Sequence, residues 1–144
     1  MKLIKFTVLA TLFLAVFFAS IGFNVLIHES AHYATADVYG FHPAMHLGET
    51  DMSVASFFSA ESDIAYVQYM PDANSRSREA LIAAAGPLAN LALAGLAFVF
   101  YAKSNNQISS LIWLILLTTS FVSFGVNILP ISPNDGFYIW QAVL

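Results

Sequence analysis

Three charge-free apolar stretches, residues 6–27, 80–102 and 108–129, dominate this chain of 144 residues. Each is long enough to cross a hydrocarbon core of about 30 Å as a helix, which takes about 20 residues. In lipid no water meets an exposed peptide group, so only helices or closed barrels can span the core. The stretches lack the alternating polarity of barrel strands, and the expected fold is therefore an all-α membrane protein. Composition agrees. Only 10% of the residues are charged and 58% are hydrophobic, whereas a soluble domain carries about 25% charged residues. The opening Met1-Lys2-Leu3-Ile4-Lys5 with its apolar run also resembles a secretory signal peptide. That run exceeds the usual h-region of about 7–15 residues, and it leads into histidines rather than a small-residue cleavage site.

The predicted layout is one membrane-embedded core over residues 1–144, with spans at about 6–34, 80–102 and 108–129. A single sizeable polar loop, 35–79, separates the first two spans. Within it, residues 52–58 and 64–70 mix aromatic, β-branched and polar side chains, which predicts short strands or a hairpin. Pro71-Asp72-Ala73-Asn74-Ser75 predicts a turn into the second span. A formal net charge of −4 argues against a nucleic-acid partner. With no cysteine, no thiolate site can form. Lys2, Lys5 and Lys103 fall on one side of the membrane and Arg76 and Arg78 on the other, which favours a cytoplasmic N-terminus.

Chemistry concentrates where the first span ends, in His28-Glu29-Ser30-Ala31-His32. Residues four apart stack on one helix face, so both imidazoles can reach one metal ion. Glu29 projects from the adjoining face, where it can take a proton from an activated water. Ionisable groups near mid-bilayer cost about 2.5–3.5 kcal/mol each on insertion scales, so three together require a compensating role. The alternative is a set of polar residues that merely ends a span.

A catalytic zinc usually takes three protein ligands and leaves a fourth position open. The candidate third ligand is Asp135, in Asn127-Ile128-Leu129-Pro130-Ile131-Ser132-Pro133-Asn134-Asp135-Gly136. Pro130 and Pro133 break the third helix there, and broken helices in membranes line cavities or lie buried in protein. Gly136 permits a tight turn beside the carboxylate. An ordinary turn aspartate on a proline-rich exit is the competing account. Three spans bring Asp135 back to the side of the histidines. The second span carries Gly86-Pro87-Leu88-Ala89-Asn90, whose small residues allow close helix approach and whose Asn90 can bond a substrate backbone or a neighbouring helix. Thr118, Thr119, Ser120 and Ser123 either line a water path or pack helices. His42 and His46 share the four-residue spacing, but Pro43 disfavours a helix through His42, so they read as loop histidines.

Taken together, H-E-x-x-H, G-P-x-x-N and N-x-x-P-x-x-x-x-D-G resemble, in order and spacing, the site-2 protease family of intramembrane zinc metalloproteases. The resemblance covers nearly the whole chain as a three-transmembrane-helix catalytic core with a partly β loop between spans one and two. It implies a Zn²⁺ cofactor held by His28, His32 and Asp135, with Glu29 as general base. It further implies that Gly86, Pro87, Asn90 and Asn127 support the active site or bind substrate. The implied partners are the lipid bilayer and a membrane-spanning protein substrate, cut within or near its span in regulated intramembrane proteolysis. The loop is expected to add a strand beside an unwound substrate. Asn134 stands where that family commonly has leucine, which leaves the metal role intact and the subfamily open. The chain reaches only Leu144, where many relatives continue into a further span, which implies a minimal member or a shortened one. The alternative function is a non-catalytic zinc-binding membrane scaffold or metal carrier, which has no need of Glu29 as a base.

Overall fold

The computed structural model of the chain describes residues 2–47, 65–71, 75–132 and 134–144. Helix α1 covers Lys2–Val38, α2 Arg76–Lys103, α3 Gln107–Ile128 and the short α4 Asp135–Val143. Strands β1 (Ala44–Leu47) and β2 (Ala65–Gln68) pair antiparallel between α1 and α2, with Met45 opposite Val67. Among the described residues three helices, α1 to α3, are long and apolar enough to cross a membrane. Their outward faces carry exposed Phe18, Leu96 and Val122, a surface that suits lipid and not water. The chain is a multi-pass integral membrane protein.

The middle of the fold is α2, which packs against α1, α3 and α4. Its buried residues Ala83, Gly86, Pro87, Asn90, Ala94 and Ala97 recur at three- and four-residue steps, one stripe of mostly small side chains. Helices in lipid gain little from burying apolar surface against each other, so close backbone approach over small residues holds them together. The turn into α3 is capped by Asn106, whose side chain accepts from the Ser109 backbone N–H at 2.8 Å.

The first helix runs a turn beyond the expected end at residue 34, to Val38. What stops it is Gly40, in the left-handed region at φ 73°. Phe41 N–H then donates to Ala36 O at 3.1 Å and Gly40 N–H to Asp37 O at 2.9 Å, the two bonds of a Schellman ending. Phe41 packs on Ala36 and Ile82, and its ring stacks on Tyr69 at 6.0 Å. This knot ties the start of the hairpin to the ends of α1 and α2. The expected strand within 64–70 is β2; the one at 52–58 lies outside the described residues, as does most of the 71–75 turn. The partner strand β1 instead contains His46, whose ring stacks on Tyr66 at 4.7 Å. His42 stays in the connection before it, at φ 47°. His42 is thus a loop residue as expected, whereas His46 belongs to a strand; the one candidate metal group among the described residues is elsewhere.

At the far end, Leu129 adopts an extended conformation with ψ 142°, as the residue before a proline prefers. The carbonyls that α3 leaves open find other donors. Asn134 Nδ2 donates to Val126 O at 3.2 Å and Trp140 Nε1 to Ile128 O at 3.1 Å. These bonds fold α4 back along α3, so that its first residue, Asp135, faces inward.

Candidate metal centre

Three side chains meet where α1, α2 and α4 converge. His28 and His32, one turn apart on α1, stand edge to face with ring centroids 4.6 Å apart. Asp135 Oδ2 lies 2.9 Å from His28 Nε2 and 3.3 Å from His32 Nε2. All three ligand atoms fall within 4.8 Å of one another. Donor atoms about 2.1 Å from a common tetrahedral ion stand roughly 3.4 Å apart, so the spacing suits one small cation. The histidines are buried and the aspartate four-fifths buried. Burial pushes the Asp135 carboxyl up, but the bonds from His28 and His32 outweigh it and hold the group below the usual carboxylate range.

The outer partners of the rings decide what the inner nitrogens offer. His32 Nδ1 lies 2.7 Å from Ile82 O. A carbonyl can only accept, so Nδ1 carries the proton and the neutral ring turns a lone pair at Nε2 toward Asp135. A lone pair facing a carboxylate at 3.3 Å is repulsive unless a cation, a proton or a metal ion, sits between them. His28 Nδ1 lies 3.0 Å from Asn90 Nδ2, which also donates to Ser123 Oγ at 2.7 Å. Asn90 is fully buried, and no donor among the described residues meets its Oδ1.

Two glycines make this convergence possible. A Cβ on Gly86 would collide with His32 Nε2 and come within 2.6 Å of His28 Nε2. The α2 backbone therefore presses on the very atoms that face Asp135. A Cβ on Gly136 would collide with Leu129 O and stand 2.5 Å from Ile128 O. Gly136 is needed for closeness of α4 to the end of α3, and not for the tight-turn conformation expected of it, since no positive φ occurs there. Pro87 is buried and removes the helical bond to Ala83 O, in the turn whose Ile82 carbonyl serves His32.

Of the predicted site residues, His28, His32 and Asp135 come together, with Gly86 against both rings, Asn90 bonded to His28, and Pro87 buried beside Gly86 on α2. Glu29 follows His28 on α1 and is partly buried. Asn127 is half-buried and bonds its own helix, donating from Nδ2 to Ser123 O at 3.0 Å. Unanticipated are Ser20 and Asn24, both buried, which continue the four-residue series of His28 and His32 back along α1. Ser20 Oγ meets Thr119 Oγ1 at 2.6 Å, and Asn24 Nδ2 donates to Ser20 O and Thr119 Oγ1 at 2.9 and 3.2 Å. Their sequence signal is that spacing, one polar residue per turn in an apolar helix.

Comparison with known proteins is consistent with this geometry. No curated protein and no solved structure matches the chain. The sequence pattern of peptidase family M50 matches residues 16–107, more than half of the chain. That region contains His28, Glu29 and His32 as well as Gly86, Pro87 and Asn90, and it stops before α4, so Asp135 enters through the fold alone. A buried cluster of two histidines on a membrane-spanning helix and one aspartate on the short α4, together with the match to this pattern, leads to one conclusion: the chain belongs to peptidase family M50, the site-2 protease family of membrane metalloproteases.

Proposed function

We propose that the protein is a zinc endopeptidase that hydrolyses a peptide bond within or near the transmembrane segment of another membrane protein. The observation that carries this reading is the inward-facing set of His28 Nε2, His32 Nε2 and Asp135 Oδ2 inside 4.8 Å. Zinc, when bound by such a set, supplies polarisation of the scissile carbonyl and acidification of water. Glu29, adjacent to a ligand on α1, accepts a proton from the attacking water as the C–O bond forms. It returns that proton to the leaving amine nitrogen as the C–N bond breaks. The substrate span must be locally unwound, because helical peptide groups are shielded by their own hydrogen bonds. Regulated intramembrane proteolysis is the process this chemistry suits.

The test is elemental analysis of the purified protein together with cleavage of a single-span reporter co-reconstituted in liposomes. One zinc per chain and cleavage that stops on chelation are expected. A protein with stoichiometric zinc that leaves every reporter intact would be a carrier or scaffold instead.

A metal on His28 Nε2 requires the proton on Nδ1, and Asn90 must then present its oxygen. Exchanging the two ends of the amide does this, giving Oδ1 both the His28 proton and that of Ser123. Asn90 accordingly acts as the outer partner that fixes the His28 ring. Asn90→Leu is expected to weaken zinc binding about 10–100-fold in a chelator competition, with Asn90→Asp, which keeps an acceptor, recovering much of the loss. Equal affinity in the native chain and the leucine variant would contradict this role.

A further inference from the structure

Helix α3 supplies none of the three ligand atoms, yet one of its side chains reaches the centre through a neighbour. Asn90 of α2 is fully buried. Among the described residues its amide has two side-chain partners, His28 Nδ1 at 3.0 Å and Ser123 Oγ at 2.7 Å, and both face Nδ2. No donor among those residues meets Oδ1. The two ends of a carboxamide are nearly equal in size, so packing does not choose which of them faces a ring, and hydrogen bonds do. With the far end of the amide lacking a partner, the bonds to His28 and Ser123 fix where it stands.

A hydroxyl suits this place because it both donates and accepts. Ser123 Oγ accepts from Nδ2 as the structure has it. It donates to Oδ1 when the amide presents its oxygen to the His28 Nδ1–H that a metal on Nε2 requires. A group able to do one alone would hold the amide in a single setting. We propose that Ser123 is a positioning residue for the metal centre: its hydroxyl holds the Asn90 amide against His28 and so fixes the ring. The proposal deepens the zinc reading above and rests on it. The tether runs from α3 through Asn90 on α2 to His28 on α1, so a change on α3 is felt at a metal none of whose ligands that helix carries.

The test is zinc affinity by chelator competition, a readout that needs no cleavage, with the full chain reconstituted in liposomes. Ser123→Ala removes the hydroxyl and adds no atom, and about tenfold weaker binding is expected, the low end for an outer partner of a ligand. Because Ser123 acts through Asn90, the double variant Ser123→Ala, Asn90→Leu should match Asn90→Leu within about twofold. Ser123→Thr and Ser123→Val have nearly the same branched shape, and they separate the hydroxyl from packing. Threonine should bind zinc about tenfold more tightly than valine. Native affinity in Ser123→Ala or equal affinities of the threonine and valine variants would overturn the role. Losses that multiply in the double variant would mark a packing defect and overturn it too. Cleavage of the single-span reporter is followed in parallel, so the two readings fail separately. A native chain that binds zinc with the expected Ser123 pattern but cuts no reporter sinks the protease reading and upholds the tether. A native chain that cuts while Ser123→Ala keeps native affinity sinks the tether alone. A native chain that binds no zinc sinks both.

Discussion

Glu29→Gln should leave zinc bound and reduce cleavage of a single-span reporter by about 10²–10⁴-fold, the usual worth of a positioned acid or base. Glutamine keeps the length and shape of the side chain and lacks only the ability to take a proton. The three ligand atoms come from His28, His32 and Asp135, so metal content should match the native chain by elemental analysis. Cleavage within tenfold of native would place the base elsewhere. Lost zinc would mean that Glu29 holds the site together rather than moving protons in it.

Asp135→Ala should release zinc and bring cleavage to background, because two imidazoles alone leave the centre one ligand short. Gly136→Ala tests the geometric account of the same event. A methyl group there meets the Leu129 and Ile128 carbonyls, and backbone at that distance cannot rotate away as a flexible side chain does. α4 has to shift, carrying Asp135 from the histidines. The expected outcome is a marked loss of zinc affinity in a variant whose three ligands are all intact, measured by chelator competition. Unchanged affinity in Gly136→Ala would show that α4 has room to spare. Retained stoichiometric zinc in Asp135→Ala would remove the aspartate from the ligand set.

Much of this molecule was legible along the chain because lipid imposes harsh, local rules. A run of about 20 uncharged apolar residues in a membrane has almost no alternative to a helix, and α1 to α3 lie where those runs are. The four-residue spacing of His28 and His32 likewise needs only helix geometry to put both on one face. The end of α1 was less legible. Asp37 reads as a loop residue, while the stop signal, Gly40, acts only together with the packing of Phe41 on Ala36 and Ile82. The strand β1 was missed because the four residues Ala44–Leu47 hold no alternating pattern to find.

Sequence alone determined the spans, the two histidines, the glutamate between them and the return of Asp135 to their side of the membrane, all consequences of periodicity, length and the count of crossings. Tertiary structure alone decided that Asp135 Oδ2 lies 2.9 and 3.3 Å from the two rings, that Ile82 O and Asn90 hold the outer nitrogens, and that Asn24 is buried against Thr119 of α3. A backbone carbonyl is the same in every residue and carries no letter that could announce it. Gly86 and Gly136 look like turn or packing glycines until the neighbouring atoms are in place. Their meaning is the space that a side chain would fill, and that space exists only once distant helices have closed around it.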